Sequence, residues 1–188
     1  MMDAFTYLSV LLSIVLGLAL TQILQGYRAL LLARGRVRLS ATVLIWSGLL
    51  IAIVAQAWWA SFGLRDRTQW DFVTFAIILA QMGLIYMAAA VVFPDIPTGG
   101  RNVDLSEHWE RHRGAFFGFL IAMLAASLAK SFALDDRLPS TPDVLFHLLL
   151  GLAGAIGILA RNARVQLALA CITVAIFIAY VALLFARI

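Results

Sequence analysis

Six long apolar stretches fill nearly all of this 188-residue chain, and they constrain its fold more than any motif does. Because a helix rises 1.5 Å per residue, about 20 apolar residues cross a hydrocarbon core of roughly 30 Å. The predicted spans cover residues 4–27, 41–64, 72–93, 114–134, 144–160 and 165–186. The sequence therefore predicts an all-α fold, a polytopic bundle of six transmembrane helices that occupies residues 1–188 as a single domain.

The composition is that of a chain whose solvent is a bilayer. Hydrophobic residues make up 63% of the chain and charged residues 13%, whereas soluble domains average about 45–50% and about 25%. The net charge of +4 does not predict nucleic acid as a partner, because the basic residues lie at the ends of the apolar stretches and form no basic face. The single cysteine, Cys171, cannot form an intramolecular disulfide.

Arginine and lysine residues predict the orientation of the bundle. The first, third and fifth connections, with their edges, hold nine of the 14 basic residues, and the remaining connections and the C-terminal tail hold five. The nine are Arg28, Arg34, Arg36, Arg38, Arg101, Arg111, Arg113, Arg161 and Arg164. Because cytoplasmic connections carry the excess of basic residues, we expect an inner (plasma) membrane protein with both termini outside, in the periplasm. The acidic start, with no basic residue before Arg28, predicts a first span that is retained rather than cleaved.

The third connection is the longest and contains a helix start. Asp104 followed by Glu107 is the pattern of a capping box. We expect a short cytoplasmic interfacial helix from about Leu105, which runs along the inner surface or straight into span 4. On it, Trp109 and Phe116 are expected to face lipid, and the nearby arginines to face headgroups.

Tryptophans near the span ends predict aromatic belts. Trp58, Trp59 and Trp70 lie near the outer ends of their spans, and Trp46 and Trp109 lie near the inner ends. Because indole rings favour the headgroup depth, we expect all five at the two interfaces.

Two ladders of small residues predict helix–helix packing. Span 1 carries Ser9, Ser13, Gly17 and Thr21, and span 4 carries Gly114, Gly118, Ala122 and Ala126. Spacing of four residues keeps these side chains on one helix face, where small residues allow another helix to approach closely. The sequence therefore predicts that both ladders are packing seams.

Three glutamines are the main polar groups within the spans. Gln22 lies toward the inner side, Gln81 near the middle and Gln56 toward the outer side. Their stepped depths favour a polar path for a solute, and hydrogen bonds between helices are the alternative interpretation. No aspartate or glutamate lies in the central part of a span, which argues against an ion-coupled carrier.

Histidines supply the candidates for cofactor chemistry. His108 and His112 are four residues apart, with Asp104 one turn earlier, and this spacing is compatible with a metal. His147 stands alone in the outer third of span 5 and has no second intramembrane histidine with which to bind a haem. We therefore expect no cofactor.

Three functions from different classes remain open. The favoured one is a passive channel or facilitator for a small solute or ion, using Gln22, Gln56 and Gln81 and assembling as an oligomer. The alternative is a non-catalytic accessory or assembly subunit of a membrane complex. The third is a membrane protein that binds a cofactor through its histidines. We expect no enzymatic activity, and the expected partners are lipids and a second copy of the chain or another membrane protein.

Overall fold

The computed structural model describes residues 4–67, 70–96 and 102–184, and six helices account for most of them. The helices are α1 (Ala4–Leu32), α2 (Ala41–Ser61), α3 (Phe72–Val92), α4 (Leu105–Asp135), α5 (Thr141–Leu159) and α6 (Ala163–Leu184). A turn of 3-10 helix, Phe62–Leu64, extends α2. All six helices are long and apolar enough to cross a membrane, which confirms the predicted helical architecture.

Some residues used to predict the topology lie outside the described part of the chain. They are the acidic start at residues 1–3, the segment 97–101 with Arg101, and residues 185–188 with Arg187. The predicted sixth span, residues 165–186, thus overlaps α6 up to Leu184.

Short-range hydrogen bonds explain where two helices begin. The Asp71 carboxylate accepts hydrogen bonds from the Thr74 hydroxyl at 2.6 Å and the Thr74 amide at 2.9 Å, and so caps α3. These bonds lower the pKa of the Asp71 carboxyl below its ordinary value. Asp104 caps α4 as predicted, because its carboxylate accepts from the amides of Ser106 at 2.7 Å and Glu107 at 3.4 Å.

The helix predicted from about Leu105 takes the second of its two expected courses, straight into span 4, so it is not a separate interfacial element. The segment after Asp104 continues without a break into span 4, so α4 runs from Leu105 to Asp135. Trp109 and Phe116 do not face lipid, because their side chains are only 5% and 0% exposed. The prediction was wrong because these two rings pack inside the bundle, and that contact keeps the first turns of α4 against the other helices.

The connections meet at two opposite ends of the bundle. Val37–Arg38 (β1) and Val103–Asp104 (β2) pair in parallel, with Arg38 opposite Asp104, and so join the first and third connections. At the other end, Arg67 of the second connection pairs with Asp135 at the end of α4. We name these the predicted inner end and the predicted outer end, following the distribution of basic residues.

Helix α3 lies centrally among the first four helices. It packs against α1, α2 and α4, while α5 packs against α4 and α6, and α6 also contacts α2. This arrangement leaves a space between the helices that is lined by residues of all six and extends to the predicted outer end.

Candidate functional site

A cavity of about 290 Å³ lies between the helices, and it contains two of the three predicted glutamines. Gln56 and Gln81 both line it. Gln22 does not, because its side-chain amide faces α3 and donates a hydrogen bond to the Tyr86 hydroxyl at 3.3 Å. The structure therefore assigns Gln22 to contact between helices and brings only the other two glutamines together.

The deep end of the cavity is closed by mostly apolar side chains, with the indole N–H of Trp46 as a buried polar group. It is lined by Leu12, Trp46, Ile85 and Phe117, and none of these side chains is more than 2% exposed. Apolar side chains packed this tightly leave no polar route toward the predicted inner end in this conformation.

Trp46 and Phe117, which line the deep end of the cavity, belong to an aromatic cluster with Trp109 and Phe116. The two indoles stack with ring centroids 6.3 Å apart, and Phe117 meets Trp46 edge-to-face at 5.0 Å. Such arrangements stabilise aromatic pairs beyond the area they bury. The inner aromatic belt predicted from Trp46 and Trp109 is therefore wrong, since the two rings lie in the interior. Trp58 and Trp59 are each 45% exposed.

Charged side chains line the cavity near the predicted outer end. Arg67 pairs with the Asp135 carboxylate and also donates to the carbonyl oxygen of Leu134. A cation bound to the last carbonyls of a helix stabilises its C-terminus. Because the side chains of Arg67 and Asp135 are 35% and 55% exposed, this end of the cavity reaches the surface.

Asp143, in the first turn of α5, forms a second polar group with His147 and Tyr180. Oδ1 of Asp143 lies 3.1 Å from Nδ1 of His147, and that nitrogen is 2.9 Å from the Asp143 carbonyl oxygen. The Tyr180 hydroxyl hydrogen-bonds the same carboxylate. The prediction that His147 stands alone was thus incomplete. Asp143 had been placed just outside span 5, although its i, i+4 spacing with His147 indicates the contact.

Lys130 of α4 also lines the cavity. Asp143 is close enough to act on Lys130 electrostatically, but among the described residues no carboxylate oxygen lies within 4 Å of its ammonium group. Lys130 lies five residues before the end of α4, about 7.5 Å from it along the helix axis.

Unpartnered polar atoms concentrate at this cavity. Within the described segments, four buried side-chain atoms have no hydrogen-bond partner: Trp46 Nε1, Gln81 Oε1, Asp143 Oδ1 and Arg113 Nε. The first three belong to residues that line the cavity. Buried polar groups are almost always hydrogen-bonded in native proteins, to protein, water or a ligand. Asp143 Oδ1 lies 3.1 Å from His147 Nδ1, so the donor Trp46 Nε1 and the acceptor Gln81 Oε1 are the two atoms that indicate a polar occupant.

Gln166 joins three helices, although it is not among the polar residues predicted from the sequence to be functional. Its Nε2 donates to the carbonyl oxygens of Gly157 at 2.8 Å and Ala160 at 2.7 Å, and its Oε1 accepts from Trp109 Nε1 at 3.2 Å. Its position one turn into α6, just after the end of α5, is the signal that indicates a capping role.

The candidate metal pair is placed at the predicted inner end. The rings of His108 and His112 stack with centroids 4.3 Å apart. His108 Nε2 lies 2.9 Å from the carbonyl oxygen of Val91, and His112 Nδ1 lies 3.0 Å from that of His108. In the part of the chain that the structure describes, no group of three or more His, Cys, Asp or Glu residues is placed to hold a metal.

The ladder of α1 faces away from the bundle. Ser13, Gly17 and Thr21 are exposed and Ser9 is partly exposed, while Leu12 and other large residues face the core. The hydroxyls already have partners, because Ser9 donates to the Thr6 carbonyl, Thr21 donates to the Gly17 carbonyl, and Ser13 accepts from Trp58. The bond between Ser13 and Trp58 joins this ladder to α2, whereas the packing role of the ladder remains a prediction for a helix of another chain.

The ladder of α4 is only partly covered. Gly114 is exposed, and Gly118, Ala122 and Ala126 are partly exposed. A Cβ built on Gly114 or Gly118 would meet no described atom within 4 Å apart from its chain neighbours and the nearby backbone of its own helix. Close approach at glycine occurs elsewhere, on α5, where a Cβ on Gly157 would lie 2.3 Å from the Phe117 ring, and on α1, where a Cβ on Gly26 would lie 2.2 Å from the Phe93 ring.

Comparisons with known proteins supply no family. No family model, no curated protein and no solved structure matches this chain.

Proposed function

We propose that this chain is an integral inner-membrane protein that binds a small polar solute in the cavity and works as a facilitator for it. Both termini and the mouth of the cavity lie on the periplasmic side in this proposal, because the predicted inner end carries the excess of basic residues. No catalytic step is assigned to the site.

The unpartnered side-chain atoms Trp46 Nε1 and Gln81 Oε1 are the observation that carries the proposal. Leaving such atoms buried without partners costs about 1–3 kcal/mol each. Water or a solute bound among them would remove that cost. The volume of about 290 Å³ has room for about ten waters, at roughly 30 Å³ each, or for a small organic molecule.

A facilitator that closes at one end fits the geometry better than a permanently open channel. The mouth at Arg67 and Asp135 reaches the surface, whereas the floor at Trp46 and Phe117 is tightly packed. Passage toward the cytoplasm would require the aromatic cluster to move, as gates do in proteins that alternate between conformations.

Flux through proteoliposomes tests the proposal, with glycerol, lactate and leucine as probes. Gln81→Leu removes the unpartnered amide of the cavity, and we expect it to lower the flux of the transported probe about tenfold. Gln22→Leu is the matched control, because Gln22 lies outside the cavity, and it should leave flux unchanged.

Two results would contradict the proposal. One is a folded wild-type protein that carries none of the three probes and whose melting temperature none of them raises. The other is equal flux in Gln81→Leu and the wild type. Circular dichroism and gel filtration of both variants establish that any loss is not a failure to fold.

An accessory or assembly subunit is the second candidate, and the exposed ladder of α1 favours it. Gly17 and Thr21 lie on a face that no described helix of this chain covers. Small residues on such a face allow a helix of another chain to approach closely. This role and solute binding use different surfaces, so one chain can serve both.

A further inference from the structure

Two opposite charges line the cavity without forming an ion pair. Lys130 extends from α4 and Asp143 from the start of α5, and both residues contribute to the cavity wall. They act on each other electrostatically, yet no oxygen of Asp143 lies within 4 Å of the Lys130 ammonium. The other pair of charges at the mouth, Arg67 and Asp135, is directly bonded.

The contacts of Asp143 explain why the two charges stay apart. His147 and Tyr180, on α5 and α6, hold the carboxylate on their side of the cavity. Oδ1 still lacks an aligned hydrogen bond, although it lies 3.1 Å from the His147 ring. A cation and an acceptor are thus both available to an occupant that reaches between α4 and α5.

We infer that the occupant is a zwitterion with an apolar substituent, of the class of the apolar amino acids. Its carboxylate binds the Lys130 ammonium, and its ammonium group donates to Asp143. This inference rests on the proposed function, since it names the solute of the same cavity.

Charge balance favours a zwitterion over a simple ion. An anion at Lys130 would leave the Asp143 carboxylate without a new partner, and a cation at Asp143 would leave Lys130 unpaired. Unpaired charges away from water are costly, and good geometry with both partners offsets that cost. A zwitterion satisfies both groups and adds no net charge to the site.

The walls below the two charges suit an apolar substituent. Ile78, Met82, Leu120 and Phe177 line the cavity and are buried. Gln81 and Trp46 place their unpartnered polar atoms on the same walls, where water bound beside a short substituent would satisfy them. A side chain of leucine size therefore has an apolar surface on which to pack.

Three probes of similar shape distinguish the contributions of the two charged groups of the solute to binding. Leucine carries both groups, 4-methylpentanoate carries only the carboxylate, and 3-methylbutylamine carries only the ammonium. Calorimetric titration of the full chain in lipid nanodiscs should show leucine binding at least about tenfold more tightly than either analogue, because each charge-assisted contact has that magnitude.

Two variants assign the charges to residues. Lys130→Met should abolish the advantage of leucine over the amine, and Asp143→Asn should abolish its advantage over the carboxylate. If Lys130 and Asp143 had only structural roles, each substitution would instead lower the affinity for all three probes equally. Arg137→Met is the control, since Arg137 is an exposed cation near the same end that does not line the cavity.

The outcomes separate this inference from the proposed function. If 4-methylpentanoate or 3-methylbutylamine binds as tightly as leucine, the cavity binds a solute and the zwitterion is wrong. If glycerol or lactate binds and leucine does not, the zwitterion is again wrong and the proposed function stands. If none of these probes binds to folded wild type, both fail. The comparison of the three probes uses wild-type protein, so it tests whether the solute is a zwitterion even if a variant fails to fold.

Discussion

At the scale of single residues, Gly157 allows the floor of the cavity to form. Its missing side chain leaves room for the Phe117 ring, which a Cβ would otherwise meet at 2.3 Å. That ring cannot move aside easily, because it is fully buried and packs edge-to-face with Trp46 and Phe116. One glycine on α5 thus sets the position of an aromatic residue on α4.

Gly157→Ala should therefore destabilise the bundle by about 1–3 kcal/mol, the usual result of inserting a methyl group into a packed core. Gly151→Ala on the same helix is the control, because a Cβ there meets nothing within 4 Å. Thermal unfolding in detergent measures both. Equal melting temperatures for the two variants would show that Phe117 does not depend on the glycine.

The sequence could name polar residues but not their neighbours. From their depths along the spans, all three glutamines were predicted to line one polar path. Depth says nothing of the direction around the helix axis, and Gln22 points toward Tyr86 and away from the cavity. The hydrophobic pattern offers no measure of that rotation in a helix that is apolar on every face. The contact of Asp143 with His147 was missed for a different reason, because Asp143 lies one residue before the predicted fifth span, 144–160.

At the scale of helices, the end of α5 depends on one side chain of α6. The last carbonyls of a helix have no partner within it, and in an apolar setting they need one from elsewhere. Gln166 supplies hydrogen bonds to Gly157 and Ala160 and ties the same site to Trp109 of α4. Three helices are therefore joined at the predicted inner end by one amide.

Gln166→Leu should lower the free energy of unfolding by about 2–4 kcal/mol, because it leaves two carbonyl groups and an indole N–H without partners. Gln25→Leu is a matched control, since Gln25 is exposed on α1. Denaturant titration in mixed micelles gives both values. If Gln166→Leu lowers the free energy of unfolding no more than the control does, Gln166 does not join the three helices in the way inferred here.

Helix boundaries show how far sequence reasoning reaches at this scale. Charges marked span edges well, and α3 begins at Phe72 as predicted. The capping pattern of Asp104 also placed the start of a helix at about Leu105, where α4 begins, but Trp109 was expected to face lipid and is instead held inside by Gln166 and Trp46. Contacts between distant residues decided that segment, and no local pattern contains them.

At the scale of the whole molecule, the free face of α1 predicts association between chains. Gly17→Leu adds a large side chain where the monomer has nothing within 4 Å, so it should leave the fold intact and weaken association. Gly48→Leu on α2 is the control, since that glycine is also exposed and uncontacted. Mass measurement by light scattering across a range of protein-to-detergent ratios compares the three proteins. A wild-type protein that stays monomeric, or two variants that behave alike, would contradict the prediction.

The hydrogen bonds of the α1 ladder have a consequence for the stability of such an assembly in the membrane. Because Ser9 and Thr21 donate to carbonyls of their own helix and Ser13 accepts from Trp58, each of these hydroxyls already makes a hydrogen bond within the chain. The face is therefore stable against acyl chains as well as against another helix. Complexes built on it should form and dissociate with the surface density of the protein, by mass action, rather than persist as permanent assemblies.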